Sequence, residues 1–230
     1  DLWLGIAEPR AYDPAYLPFS WRGWWDFGCG ALGDMGCHIM DAAYWSMQLD
    51  NPDWVEATAT WTSEHACPNA SVVTYQFPAR GKFSPIKYTW YDGGLRPPLP
   101  AMLKEWPEMA RTNGTFIIGE EAVIVSDTYA RSVSILPDEK FEALKPKLPP
   151  RTLPRVKGSH MENFLDSIRA GEKAVSDFEY AGPFSEMVLL GNVAIRAGKR
   201  IEYDHKRMKI TNMPEANRFL TKDYRPGWII

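Results

Sequence analysis

The sequence predicts an α+β fold, a mostly antiparallel sheet bracketed by helices, and three observations carry that prediction. Residues 55–62, 71–77 and 86–91 are β-rich runs separated by Pro, Gly or polar clusters, as in a meander. Residues 31–48, ahead of them, repeat apolar side chains at helical spacing. Two further amphipathic stretches, 159–170 and 179–197, come near the end and are closed by Gly171 and Gly198. A chain of 230 residues can bury one sizeable core, and residues 1–230 are read as a single domain.

Taken in order, residues 1–30 place Pro9, Pro14 and Pro18 among aromatics, which predicts an ordered but irregular segment lying over a surface. In the helix expected next, Leu32, Met35, Ile39, Ala42 and Ala43 form the stripe for burial. Asp34, His38, Asp41 and Trp45 follow a second stripe left available. In the run 55–62, Val55, Ala57, Ala59 and Trp61 alternate with Glu56, Thr58, Thr60 and Thr62, so one face is apolar and the other rich in threonine. Such a face suits water or a second sheet. Residues 114–125 read as a hairpin turning at 119–121, and 132–136 as one more strand, which makes about six strands in one sheet. Between Pro137 and Pro154 the prolines and lysines predict a solvated loop.

The composition excludes several function classes. A net charge of −3 and the lack of a Lys/Arg cluster leave no footprint for a phosphate backbone, so nucleic acid is not an expected partner. The longest apolar stretches, such as 188–195, are too short to cross a bilayer, and no membrane partner is expected. Cys29, Cys37 and Cys67 are odd in number and are read as free thiols. A zinc site using them with His65 lacks any Cys-x-x-Cys pair, so no metal is expected. The first residue is Asp1, with no leader pattern behind it, and compartment is not readable.

Chemistry concentrates in residues 23–41, where a glycine-rich turn meets Asp34 and His38. On a helix beginning near Ala31, positions i and i+4 share a face with Cβ atoms about 5–6 Å apart, so the carboxylate can orient the imidazole. Asp34 would then sit in the first turn, where the helix dipole favours its charged form. An imidazole between an anion and partial burial titrates in the range a general acid or base needs. Glycines 28, 30, 33 and 36 are read as clearance for a ligand ring. Trp21, Arg22, Trp24 and Trp25 supply aromatic faces and a guanidinium suited to a polyol ring. Packing at a core edge is the plainer alternative for the aromatics. Lys87, His160 and Asn163 are further substrate-binding candidates, set against solvent exposure, helix capping and a core-edge hydrogen bond respectively. Residues 28–33 also satisfy G-x-G-x-x-G, but neither a preceding parallel strand nor a following βαβ unit is predicted.

Trp21-Arg22, the glycine turn and Asp34-x-x-x-His38-x-x-Asp41 together resemble the carboxy-terminal domain of the Gfo/Idh/MocA family of NAD(P)-dependent oxidoreductases. The resemblance runs on through Asp1-Leu-Trp-Leu-Gly5, residues 90–94, 114–119, His160-x-x-Asn163-Phe164, residues 180–183 and 211–217. It implies an open, mostly antiparallel sheet flanked by helices on one face. It also implies His38 as the acid/base for a substrate hydroxyl, Asp34 as its orienting partner, and Trp21 and Arg22 near nicotinamide and substrate. Gly30 and Gly33 would give clearance to the nicotinamide. NAD or NADP would be held by an amino-terminal Rossmann domain absent from this chain, so none is expected to bind these residues alone and no turnover is expected of them. The implied substrate is a sugar or cyclic polyol. Hydride transfer by a dehydrogenase and bond cleavage by an NAD-dependent glycosidase of the same family both remain open. A non-catalytic assembly module, with the threonine face joining subunits of a homo-oligomer, is the third reading.

Overall fold

The computed structural model describes residues 2–99, 101 and 113–228. Asp1, which opens one of the motifs above, lies outside the described residues. Residues 2–29 are irregular as expected, with 3-10 turns at Pro14–Tyr16 and Ser20–Gly23. Asp13 caps the first turn by accepting the Ala15 amide at 2.8 Å. Aromatic pairs hold the segment together, Trp3 against Phe27 at 4.8 Å and Tyr16 against Trp24 at 5.0 Å.

The helix predicted over 31–48 forms as two, α1 (Gly30–Ile39) and α2 (Asp41–Ser46), joined at Met40. At the joint Thr115 donates its hydroxyl to the Ile39 carbonyl at 2.7 Å, a tertiary contact that periodicity does not reveal. Strands β1 (Trp54–Ala59), β2 (Ser71–Phe77) and β3 (Ile86–Tyr91) pair antiparallel in the order expected. The hairpin and its extra strand are also present, as β4 (Gly114–Ile118), β5 (Val123–Asp127) and β6 (Val133–Leu136). They do not join the first three. Instead they form a separate three-stranded sheet, while β7 (Ile201–Asp204) and β8 (Lys209–Ile210) complete a five-stranded sheet in the order β3-β2-β1-β7-β8. The six-stranded sheet is thus corrected to five plus three. Strands of four and two residues are too short to show a period of two, yet Ile201 is fully buried opposite Val55.

The stretch expected as a solvated loop contains α3 (Asp138–Leu144), followed by a 3-10 turn at Lys145–Lys147. Its sequence explains the correction, since Asp138 and Glu139 occupy the first turn and Lys, Phe, Glu, Ala and Leu follow. The last two helices are α4 (His160–Ala170) and α5 (Phe178–Ala197), ending at Gly171 and Gly198 as predicted. In α4 a capping box joins Ser159 and Glu162, but none of its residues is buried, and Met161, Phe164, Leu165 and Ile168 are exposed. Among the described residues no helix is long and apolar enough to cross a membrane.

The core lies between α5, α1 and one face of the larger sheet. Cross-strand neighbours Val55 and Tyr75, Ala57 and Val73, and Val73 and Trp90 face inward. Thr58, Thr74 and Thr89 face the other way, where the Thr74 and Thr89 hydroxyls lie 3.5 Å apart. Tyr75 and Phe77 are fully buried, each gaining about 1.5–3 kcal/mol from burial. The Tyr75 phenol donates to the Val188 carbonyl of α5 at 3.0 Å, which ties helix to sheet. Gly191, one turn on, leaves room for that phenol, because a Cβ there would overlap it and Leu32.

Burial pushes the Tyr88 phenol up to about 12 and raises Tyr75 well above the usual phenol value. An unfolded tyrosine ionises near 10. The folded chain therefore binds more protons between pH 10 and 12, so this stabilisation is complete below pH 10 and is lost as pH rises through that window. Urea unfolding midpoints are expected to fall steadily from pH 10 to pH 12; a flat midpoint would count against buried phenols at these two positions.

Candidate functional site

α1 begins at Gly30, with a φ of +65°, so Asp34 is one residue further from the helix start than expected and lies beyond the first turn. Its carboxylate is held by Arg22, whose Nη1 donates to Asp34 Oδ2. Among the described residues, the carboxylate expected to orient His38 makes its hydrogen bond to Arg22. A guanidinium offers a charge-assisted bond that a neutral imidazole cannot match. The 3-10 turn Ser20–Gly23 brings Arg22 over the helix, with its guanidinium 3.9 Å from the Phe19 ring. Both partners of the ion pair are about one-third exposed, so it is worth about 0–1 kcal/mol and acts mainly to fix position.

His38 lies on the exposed side of α1, its ring at 72° to Tyr129 with centroids 5.4 Å apart. Tyr129 comes from the β5–β6 turn, where Asp127 accepts the amides of Tyr129 (3.1 Å) and Arg131 (2.8 Å). The smaller sheet thus delivers a phenol to the imidazole. Asp41, three residues beyond His38, accepts from the Tyr180 hydroxyl of α5. Desolvation first, then Asp41, raises the Tyr180 phenol and keeps it a donor. The row 34, 38, 41 is therefore held by three different elements. Asp34 and Asp41 are occupied, whereas the His38 ring nitrogens make no hydrogen bond among the described residues.

The other predicted residues divide clearly. Trp21 is 43% exposed and next to Arg22 in the turn Ser20–Gly23. Trp24 donates its indole N–H to the Ala15 carbonyl at 3.3 Å, and Trp25 donates to that of Ser63 at 3.1 Å, so both serve the packing of this segment. Lys87 is exposed on β3 opposite Gln76 and lines a cavity of about 480 Å³ between β3, β4 and the end of α1. His160 is the first residue of α4, and Asn163 accepts the Val175 amide at 3.1 Å. No described hydrogen bond, ion pair or ring contact joins Lys87, His160 or Asn163 to the row. Tyr129 and Tyr180 were missed, because nothing in the local sequence places them against His38 or Asp41.

The glycines are explained by protein packing. A Cβ on Gly28 would strike the Arg22 backbone, on Gly30 the Cys67 side chain, on Gly33 the Cys29 side chain and on Gly36 Val188 of α5. The clearance expected at Gly30 and Gly33 is thus filled by this chain itself. The segment also enters α1 from a 3-10 turn, with no parallel strand before it. These residues do not form the strand–turn–helix of a dinucleotide fingerprint. Cys29, Cys37 and Cys67 are free, and burial raises all three thiols, Cys67 to about 12. They are poor nucleophiles near neutral pH.

A search among curated proteins returned no match. A family model described as the oxidoreductase family, C-terminal alpha/beta domain, covers residues 1–230, the full length of the sequence. With its open antiparallel sheet, helices on one face and the Asp34-x-x-x-His38 row, the chain belongs to the Gfo/Idh/MocA oxidoreductase family, as this C-terminal domain.

Proposed function

We propose that the chain is the substrate domain of an NAD(P)-dependent sugar or cyclic-polyol oxidoreductase, with His38 as its proton-transfer residue. The observation that carries this is the unengaged imidazole between two engaged carboxylates. A packing histidine has its nitrogens satisfied or stripped of solvent, whereas His38 is exposed and, among the described residues, its ring pairs with Tyr129. Nicotinamide, when present in the protein, supplies hydride transfer, and we infer that a separate domain of the same protein holds it.

In this reading His38 takes the proton from the substrate hydroxyl as its carbon is oxidised and returns it in the reverse direction. Asp34 acts as a positioning residue for Arg22 instead of as a partner of the imidazole. With one N–H on Asp34, the guanidinium keeps further donors for a substrate oxygen, and Trp21 offers a face for the ring. The test is turnover of His38→Asn in the full-length protein, developed below.

The sheet supports a role in assembly as well. Thr58, Thr74, Thr89 and Gln76 form a face opposite the helices, and α1 and α5 cover only the other one. We infer that this face joins two copies of the protein. Light scattering is expected to give a dimer, and Thr74→Lys with Thr89→Lys to give monomers. A parent protein monomeric over a wide concentration range would contradict the assignment.

A further inference from the structure

Arg196 near the end of α5 is a half-buried guanidinium without a hydrogen bond or an ion pair among the described residues. Its carbon lies 4.3 Å from the Phe219 ring centroid and 5.4 Å from that of Trp25, so aromatic rings occupy its faces and leave its N–H edge unmatched. A second cation, Arg218, lies 4.7 Å from the same Phe219 ring. Burial first, and Arg218 next, lower the Arg196 pKa, while Cys67, Asp26 and Glu64 act the other way without reversing it. The one acid lining the same space, Glu64, is 82% exposed and reaches Arg218 only at 3.9 Å.

Thr62, Ser63, Glu64, Arg196, Arg218 and Phe219 enclose a cavity of about 150 Å³. That is room for about five waters. Ser63 Oγ already accepts the amides of His65 at 3.1 Å and Ala66 at 3.4 Å, so its hydroxyl proton is free to donate. Two guanidiniums and a hydroxyl thus supply donors around one cavity, with the Glu64 carboxylate, 82% exposed, as the acid among its lining residues. We propose that this cavity is a binding site for a tetrahedral oxyanion, either free phosphate or the phosphoryl group of a small metabolite. The site uses none of the residues of the α1 row and stands whether or not His38 transfers protons.

Calorimetric titration of the full-length protein with inorganic phosphate, at constant ionic strength against a chloride control, tests the assignment. Saturable binding with a Kd of about 1 mM or tighter is expected. Arg196→Gln and the more exposed Arg218→Gln should each weaken it about tenfold, with circular dichroism confirming the fold; Arg218→Gln keeps the test valid if loss of the stacked Arg196 disturbs packing. A parallel titration with a hexose phosphate separates the two sources: equal affinity assigns the free ion, tighter binding the phosphorylated metabolite. Absence of saturable binding by both ligands, or affinities unchanged in both variants, would overturn the proposal.

Discussion

Replacing His38 by Asn in the full-length protein is expected to lower kcat by about 100-fold or more, the usual share of a general acid or base. Stability should stay within about 0.5 kcal/mol of the parent, since His38 is exposed and its described ring contact is with Tyr129. That pairing of a large kinetic effect with a small structural one separates proton transfer from packing. Asp34→Asn should behave differently. It weakens the hold on Arg22, so KM is expected to rise more than kcat falls. A His38→Asn variant with turnover within a few-fold of the parent would remove the catalytic reading and leave the assembly role.

Gly191→Ala is the substitution expected to cost most stability. Helix propensity alone favours Ala by about 1 kcal/mol in a helix interior. Here the new methyl would overlap the Tyr75 hydroxyl and Leu32, in a region where Tyr75 and Val188 are fully buried. Overpacking costs about 1–3 kcal/mol, and breaking the bond from Tyr75 to the Val188 carbonyl strands a buried hydroxyl for about 1–3 kcal/mol more. The net expectation is a loss of about 2–4 kcal/mol in urea unfolding. Gly182, exposed near the start of the same helix with no atom near a new Cβ, is the control. Gly182→Ala should change stability by less than about 1 kcal/mol. Equal effects at the two sites would show that the helix does not seat on Tyr75 as described.

Much of the fold is written in local pattern. The alternation of Val55, Ala57 and Ala59 with Glu56 and Thr58 marks β1 and its two faces, and Gly171 and Gly198 end their helices as left-handed caps. Three features escape that pattern. The splitting of the strands into two sheets is decided by which edges meet, as in Val55 opposite Ile201. β7 and β8 are too short to show a period, and α3 hides among lysines and prolines that suggest a loop.

The site shows the same division. His38 and Asp34 stand out because their spacing lies within one helix. Arg22 was already adjacent in the reading, but its capture of Asp34 depends on how the turn at residues 20–23 folds back over α1. Tyr129 and Tyr180 come from a different sheet and a different helix, and nothing near them in sequence points to His38 or Asp41. The glycines mislead for a related reason. Their spacing imitates a cofactor turn, while their neighbours in space are Arg22, Cys67, Cys29 and Val188.

The most direct test of His38 as the proton-transfer residue is the pH dependence of kcat/KM for the full-length protein and its His38→Asn variant. A site built on His38 predicts that the parent shows a pH-dependent limb that the variant lacks, with the residual rate flat across it. The same limb surviving in the variant would contradict that assignment.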